Sequence, residues 1–588
     1  MCGTWAGLYF RSTNVSTQQR IAGGQFLVRN VSASDVFTRE DLTEEQRLFG
    51  QTAAEFMRNE VLPREARLYA HDWPLTRELL KKAAELDLMR LEIPEKFGGL
   101  GLDKVSAAFV GEQLAVNPSF AGSIGAHTAI GTLPLVYFGN DAQKAKYLPR
   151  LASGELVAAY ALTEPQSGSD ALAARTTAVL SEDGRHYILN GQKMWITNGG
   201  FADVFTIFAK IDGEKFTAFL VERGMGVVSG SDEKKLGLDG SSTTALMLDN
   251  VKVPVENVLG TIGEGHKVAF NILNLGRVKL GTRNMSCAKQ ALAHATKYAT
   301  ERRQFGKAIA EFGMIKQKLA EMSIRCFVGD AMVFRALGDV DAALESIDSS
   351  DTARVFKAIE GFAVECSVNK VFTSEALAYV VDEALQVFGG NGYSREFPAE
   401  RAYRDARITR IYEGTNEINR LIIPTRLLKD RSGLQQDDET QPPFAGGLLS
   451  TERGVLARIK SLAVGMLTEA AMLYGDTIRD QQEILGHVAD VVIEAYAIES
   501  AVARAEKMAA SRGPDAAGIA LEMVRVYVTD AVDRIVHSGK QVARALAGER
   551  GALVQRLLTR IRDFEGVDTV EGRRHIAAAV IAAGKHPY

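Results

Sequence analysis

The segment 186–197, HYILNGQKMWIT, decides the fold class, because it breaks into a chain whose texture is otherwise helical. It reads as two strands around Asn190-Gly191, a dipeptide that favours the two-residue hairpin turn with positive φ. Trp195 and Thr197 stand two residues apart and so share one face of a strand. An aromatic ring beside a hydroxyl suits a flat polar ring system, although a lone strand tryptophan is more often core. FADVFTIFAKI, FTAFLVE, TTALMLDNV and VKVPVENVLG follow as short β-rich runs with turn signals between them. A β domain over 156–262 is the expectation.

Both flanks read as helix. DLTEEQRLFGQTAAEFMRNEVLP opens with a capping-box pair, Thr43 and Gln46, and Leu48, Ala53 and Phe56 suggest one apolar face. LTRELLKKAAELDLMRLEIP is expected as a second helix, stopped by Pro94 and FGGLGL. After GEGHK a long helix is expected from Val268 to Tyr298, with more helices to about residue 430. DRSGLQQDDETQPPFAGG is polar, acidic and rich in Gly and Pro, and reads as a linker. Beyond it Leu456, Ile459, Ala463, Met466 and Leu467 mark an amphipathic helix, and two similar segments follow. The expected fold class is α+β multidomain: an N-terminal tail (1–40), a helical domain (41–155), the β domain (156–262), a helical bundle carrying the candidate base (263–429), a linker (430–447) and a further C-terminal helical domain (448–588).

Bulk properties narrow the function classes. The 588 residues are 46% hydrophobic and 24% charged, with net charge −4, which suits a globular protein with a large core and lacks the basic excess of a nucleic-acid binder. Cys2, Cys287, Cys326 and Cys366 form no CxxC pair and imply no disulfide framework. No HExxH and no Cys/His cluster of zinc spacing occurs, so no catalytic metal is expected. No run of 18 apolar residues predicts a membrane span. Residues 1–34 hold Arg11, Arg20 and Arg29 and no acid, which fits either an organellar transit segment or a disordered tail.

Five stretches carry chemistry. YALTEPQSGSD (160–170) offers hydroxyls and a glycine that lets backbone approach a ligand. KMWITNGG (193–200) holds the Trp195–Thr197 pair. ERRQFG (301–306) places arginines, whose forked donors suit phosphate, at a helix end. QVFGGNGY (386–393) is glycine-rich without the strand–helix setting of a Rossmann fingerprint. IYEGTNE (411–417) sets one carboxylate, Glu413, between an aromatic residue and Gly-Thr, just before an apolar helical repeat; such a glutamate is ordinarily a solvated charge.

Together, in this order and at these separations, the five resemble the acyl-CoA dehydrogenases over about residues 40–430, and the tail is similar in length and helical texture to the very-long-chain subfamily. The resemblance implies FAD, bound at a subunit interface. Tyr160, Leu162, Thr163, Gly168 and Ser169 would lie along flavin and substrate, and Trp195, Ile196 and Thr197 against the isoalloxazine. Arg302, Gln304 and Gln317, with Gln386, Val387, Phe388, Gly389 and Gly390, would hold the pyrophosphate and adenosine end from a partner subunit. Thr415, Asn416 and Glu417 would meet the cofactor beside Glu413, the catalytic base of an α,β-desaturation of an acyl-CoA thioester. Asn274, Gly276, Arg277 and Gly414, with Ser169, would line the substrate. In SFAGSIGAH (119–127) Gly125 keeps one of two glycines that widen the acyl tunnel of very-long-chain members, while Ala121 replaces the other. Long-chain acyl-CoA, electron-transfer flavoprotein as electron acceptor, a homodimer and no nucleic acid follow as expectations. Location is expected to be bacterial cytoplasm, with at most peripheral membrane association because the linker lacks a basic amphipathic helix, or else the mitochondrial matrix. An acyl-CoA oxidase, or a respiratory-complex assembly scaffold of the same fold, is the alternative. Pro424 is expected to kink the helix after the base.

Overall fold

A computed structural model describes residues 23–348, 351–429 and 446–588. The basic stretch before residue 23, Cys2 and nearly all of the 430–447 linker lie outside the described residues.

Among the described residues helices lie at both ends, and the β segments come together between them. Eight strands, β1 (Ala158–Ala161), β2 (Thr177–Leu180), β3 (His186–Thr197), β4 (Val204–Ile211), β5 (Lys215–Glu222), β6 (Val228–Asp232), β7 (Thr243–Pro254) and β8 (Val258–Leu259), form one sheet in the order β6-β7-β3-β2-β4-β5-β8. β1 pairs with β4 in parallel.

The hairpin expected at Asn190-Gly191 does not form. β3 runs through both residues as one strand, antiparallel to β7, and the register shifts between Leu189 and Gly191. Tertiary contact overrides the local turn preference: a Cβ at Gly191 would meet Thr176 Oγ1 at 2.5 Å, so the glycine admits a close crossing rather than a reversal. A second shift, between Lys193 and Ile196, coincides with φ of 60° at Trp195. That bulge turns the indole outward, leaving it 52% exposed, while Ile196 packs inward.

Before the sheet, the helix Glu44–Phe56 starts as read: Thr43 Oγ1 accepts from Gln46 N at 3.1 Å, and Gln46 Oε1 accepts from Thr43 N at 3.0 Å. Its buried face, however, is Gln46, Gly50, Ala53 and Phe56, and Leu48 is exposed. Two residues from Gln46 is more than half a turn at 3.6 residues per turn, so Leu48 points away. The second expected helix ends at Glu85 rather than near Pro94, and Asp87, with φ of 64°, begins a series of turns.

After the sheet, the helices Gly265–Glu301, Gly313–Glu345, Ala363–Phe388 and Asn416–Lys429 make the bundle. The last of these is one continuous helix across the buried Pro424. The C-terminal helices Ser450–Tyr474, Gln482–Arg512, Gly518–Leu546, Gly548–Arg562 and Thr569–Ala583 share a single hydrophobic core with the bundle, so the linker does not divide two cores. Residues 23–40, part of the expected tail (1–40), pack against it. Phe26 is fully buried with its ring edge-on to Tyr496 at 4.9 Å, and Arg453 Nη1 and Lys460 Nζ donate to the carbonyls of Val31 and Arg29. Among the described residues no helix is long and apolar enough to cross a membrane.

Candidate active site

Glu413 sits in the turn that leads into the Asn416–Lys429 helix. It holds φ of 58° and is followed by Gly414 at 82°, two successive left-handed residues. For a glutamate this conformation is costly and persists only where its surroundings enforce it. They do. Arg277 Nε donates to the Glu413 carbonyl at 3.0 Å, and Arg277 Nη1 to Asn274 Oδ1 at 2.9 Å. Asn419 Nδ2 donates to the carbonyls of Gly414 and Thr415, and Thr415 Oγ1 caps the helix by accepting from Ile418 N at 3.2 Å. Asn416 is held by Lys370 Nζ at 2.6 Å and by Ser374 and Glu375.

This turn aims the Glu413 carboxylate across the long Gly265–Glu301 helix at Gly276, where a Cβ would lie 3.0 Å from Oε2. Oε2 is shielded from solvent and has no hydrogen-bond partner among the described residues. The Glu413 N–H likewise has no acceptor among them. Burial pushes the Glu413 carboxyl up from 4.5 to about 7, against the opposing pull of Arg277, Lys370 and Arg283. Burial also pushes the Lys370 ammonium down to about 7, helped by the like charge of Arg277. A carboxylate without donors, poised near neutrality, is suited to take a proton.

Glu413 opens into a cavity of about 800 Å³. Trp195 and Thr197 of β3, Ala121 and Gly125 of the Pro118–Gly125 helix, and Gly276 line the same space. Tyr160 and Leu162 lie buried on the adjoining β1 edge. Burial, and then the Glu413 charge, hold the Tyr160 phenol well above its ordinary range. The Thr163 carbonyl accepts from Met194 N, and Gly168 and Ser169 are exposed. Arg277 uses Nε on the turn and Nη1 on Asn274 Oδ1, so both residues position Glu413 from behind.

The second group of candidates stands elsewhere. Arg302, Gln304 and Gln317 are exposed, with Gln304 in a two-residue ribbon against Lys307. Gln386, Gly389 and Gly390 are exposed beside them, and a Cβ at either glycine would meet nothing within 4 Å. The two segments are joined by Tyr298, which stacks on Phe388 at 4.3 Å and accepts from Asn391 Nδ2. Val387 and Phe388 are core residues, so only their backbone is open to a ligand. Glu417 is exposed.

Sequence reasoning missed three contributors. Glu164 is buried and pairs with Lys193 Nζ at 2.6 Å while accepting from Arg175 N and Thr176 N, which ties the 160–170 turn to β3. Lys370 anchors Asn416. Arg283 lines the cavity seven residues beyond Gly276, on the same helical face; that spacing was legible, but not what it faces.

Comparison with known proteins agrees with this architecture. Residues 43–155, 159–251 and 263–428 match the N-terminal, middle and C-terminal domains of acyl-CoA dehydrogenase, and residues 458–562 match a further description of its C-terminal domain. A probable acyl-CoA dehydrogenase of Bacillus subtilis is 43% identical over 584 residues, 96% of this chain and 98% of that protein. The human mitochondrial very long-chain specific acyl-CoA dehydrogenase is 38% identical over 476 residues, 74% of this chain and 70% of that one. The crystal structure of an acyl-CoA dehydrogenase complexed with FAD from Bacillus anthracis superposes with a TM-score of 0.93 at 41% identity, covering 96% of this chain and all of that one.

Proposed function

This chain belongs to the acyl-CoA dehydrogenase family, and from that premise we propose that it binds FAD and desaturates acyl-CoA thioesters between the α and β carbons, with Glu413 as the base. The observation that carries the reading is the unpartnered, shielded Glu413 Oε2 opening into one cavity with Trp195 and Thr197.

The residues present fit a flavin. The outward indole of Trp195 and the Thr197 hydroxyl offer a stacking face and a polar contact, and Tyr160, Leu162, Thr163 and Ile196 back them. When bound, FAD supplies the acceptor for the β hydrogen as hydride. The chain supplies the rest. Glu413 Oε2 takes the α proton. Its burial raises its basicity, and Arg277 keeps the carboxylate over Gly276. The free Glu413 N–H is a donor for the thioester oxygen, where such a donor contributes about 3 kcal/mol to the transition state.

Arg302, Gln304, Gly389 and Gly390 form a donor-rich open surface apart from the cavity, suited to a pyrophosphate presented by a second copy of the chain. Phe305, Tyr393 and Met314, 92%, 88% and 78% exposed, lie in or near these segments and support a homodimer buried there. The cavity follows the Gly265–Glu301 helix from Gly276 to His294, about 27 Å at 1.5 Å per residue, which supports long acyl chains. Electron-transfer flavoprotein is the proposed acceptor and the cytoplasm the proposed location.

The test is turnover of an acyl-CoA chain-length series with electron-transfer flavoprotein, an artificial acceptor or oxygen. Peroxide formed at a comparable rate would favour an oxidase, and no turnover of any thioester by flavin-loaded protein would reject the reading. Two further outcomes follow. kcat/KM is expected to rise with pH through about 7, as Glu413 loses its proton in the free enzyme; a flat profile across that range would contradict the role of its burial. Gly276→Ala is expected to lower kcat by up to about 10²-fold with an unchanged melting curve, because the added methyl displaces the carboxylate it touches.

A further inference from the structure

Arg283 stands seven residues beyond Gly276 on the same helix, about 10 Å along the axis. Its guanidinium lies against Gly125, so close that a methyl there would overlap both Nη atoms, and its Nε lies 3.7 Å from where a Cβ at Gly111 would sit. The space that Gly125 opens is therefore filled by a cationic head. Around it the cavity wall is Ala121, Gly122, Ala126, Ala129 and Leu280.

Among the described residues Arg283 makes no hydrogen bond and no salt bridge. The buried arginines among the described residues are all paired, Arg335 with Glu499, Arg504 with Glu40, Arg453 with Glu506 and Arg277 with Asn274 and the Glu413 carbonyl, whereas Arg283, half-buried at the cavity wall, is not. Burial lowers the Arg283 pKa, and only Tyr412, Glu413 and Cys287 offset this. A guanidinium set among methyl and methylene groups, with no acceptor in reach, is unfavourable until one arrives. An alkyl chain passing this point would leave it in that state. A carboxylate would meet two parallel N–H donors, the strongest pairing a guanidinium makes.

Resting on the acyl-CoA reading above, we propose that Arg283 binds a carboxylate carried by the acyl chain, so that the site selects CoA monothioesters of dicarboxylic acids over plain alkyl thioesters of the same length. Arg283 is the specificity determinant, and Gly125 is the residue that makes room for it.

The test compares matched pairs, adipoyl-CoA against hexanoyl-CoA and longer counterparts, by calorimetric Kd and by kcat/KM on the flavin-loaded enzyme. Wild type is expected to favour the ω-carboxylated member at one chain length by tenfold or more in both. Arg283→Met is expected to invert the preference, and Arg283→Lys, which keeps the charge and loses the fork, to retain a weaker one. The lysine variant also serves where the methionine variant fails to fold. Equal or weaker binding of the ω-carboxylated member by wild type at every length, or a preference that survives Arg283→Met, would overturn the proposal. Turnover of plain thioesters alone overturns this inference and leaves the dehydrogenase reading standing. Absence of all turnover rejects that reading, while the Kd comparison still decides the anion site.

Discussion

Glu413→Gln is expected to lower kcat by about 10²–10⁴-fold while acyl-CoA still binds, the usual range for loss of a positioned general base. Glutamine keeps the shape and the backbone N–H but has no basic oxygen for the α proton. Stopped-flow bleaching of the flavin band on mixing with acyl-CoA reads the chemical step directly, and retained bleaching rates would remove Glu413 from the role.

The same substitution has a stability consequence of fixed sign. The Glu413 carboxyl is raised from 4.5 to about 7, so the folded state holds its proton more tightly than the unfolded state does. Stability contributed by this group is therefore full below about pH 4.5 and declines as pH rises through about 7. Glu413→Gln removes that decline, and the variant is expected to be at least as stable as wild type at about pH 8. A variant clearly less stable at that pH would mean that the carboxylate holds the turn together, contrary to its lack of partners at Oε2.

Glu499→Gln is expected to cost about 3–5 kcal/mol of stability, the range for breaking a buried ion pair. Glu499 is 1% exposed and accepts from Arg335 Nη2 at 3.0 Å and from Lys460 Nζ. Arg335, on the bundle helix Gly313–Glu345, is 2% exposed, and Lys460, on Ser450–Tyr474, is 6% exposed. Arg335 also donates to Ser500 Oγ at 3.1 Å and stands over the Tyr496 ring at 4.4 Å. Removing the shared acid leaves two buried cations side by side, one on each side of the junction between bundle and C-terminal helices. Denaturant unfolding reads the loss, and the linked cores predict a single shifted transition rather than separate melting of the C-terminal helices. An unchanged midpoint would mean that the pair is solvated in solution. Lys460, whose ammonium burial already weakens, gives up its proton more readily in the variant, so the loss is expected to shrink as pH rises.

What the residues alone determined was whatever depends on neighbours a few positions apart. The Thr43–Gln46 cap, the long helix after GEGHK and the amphipathic run through Met466 are local matters of hydrogen bonding and periodicity, and they were legible. The five motifs pointed to the family and to Glu413 because those side chains are constrained by chemistry rather than by packing. The tertiary structure decided what depends on distant partners. Asn190-Gly191 became a crossing instead of a turn because Thr176 passes over it, and residues 23–40 pack against the core because Phe26 finds Tyr496. The basicity of Glu413 and the bare cation at Arg283 both arise from what the fold withholds, donors in one case and an acid in the other. Desolvation is set by surroundings assembled from the whole chain, and no local pattern encodes it.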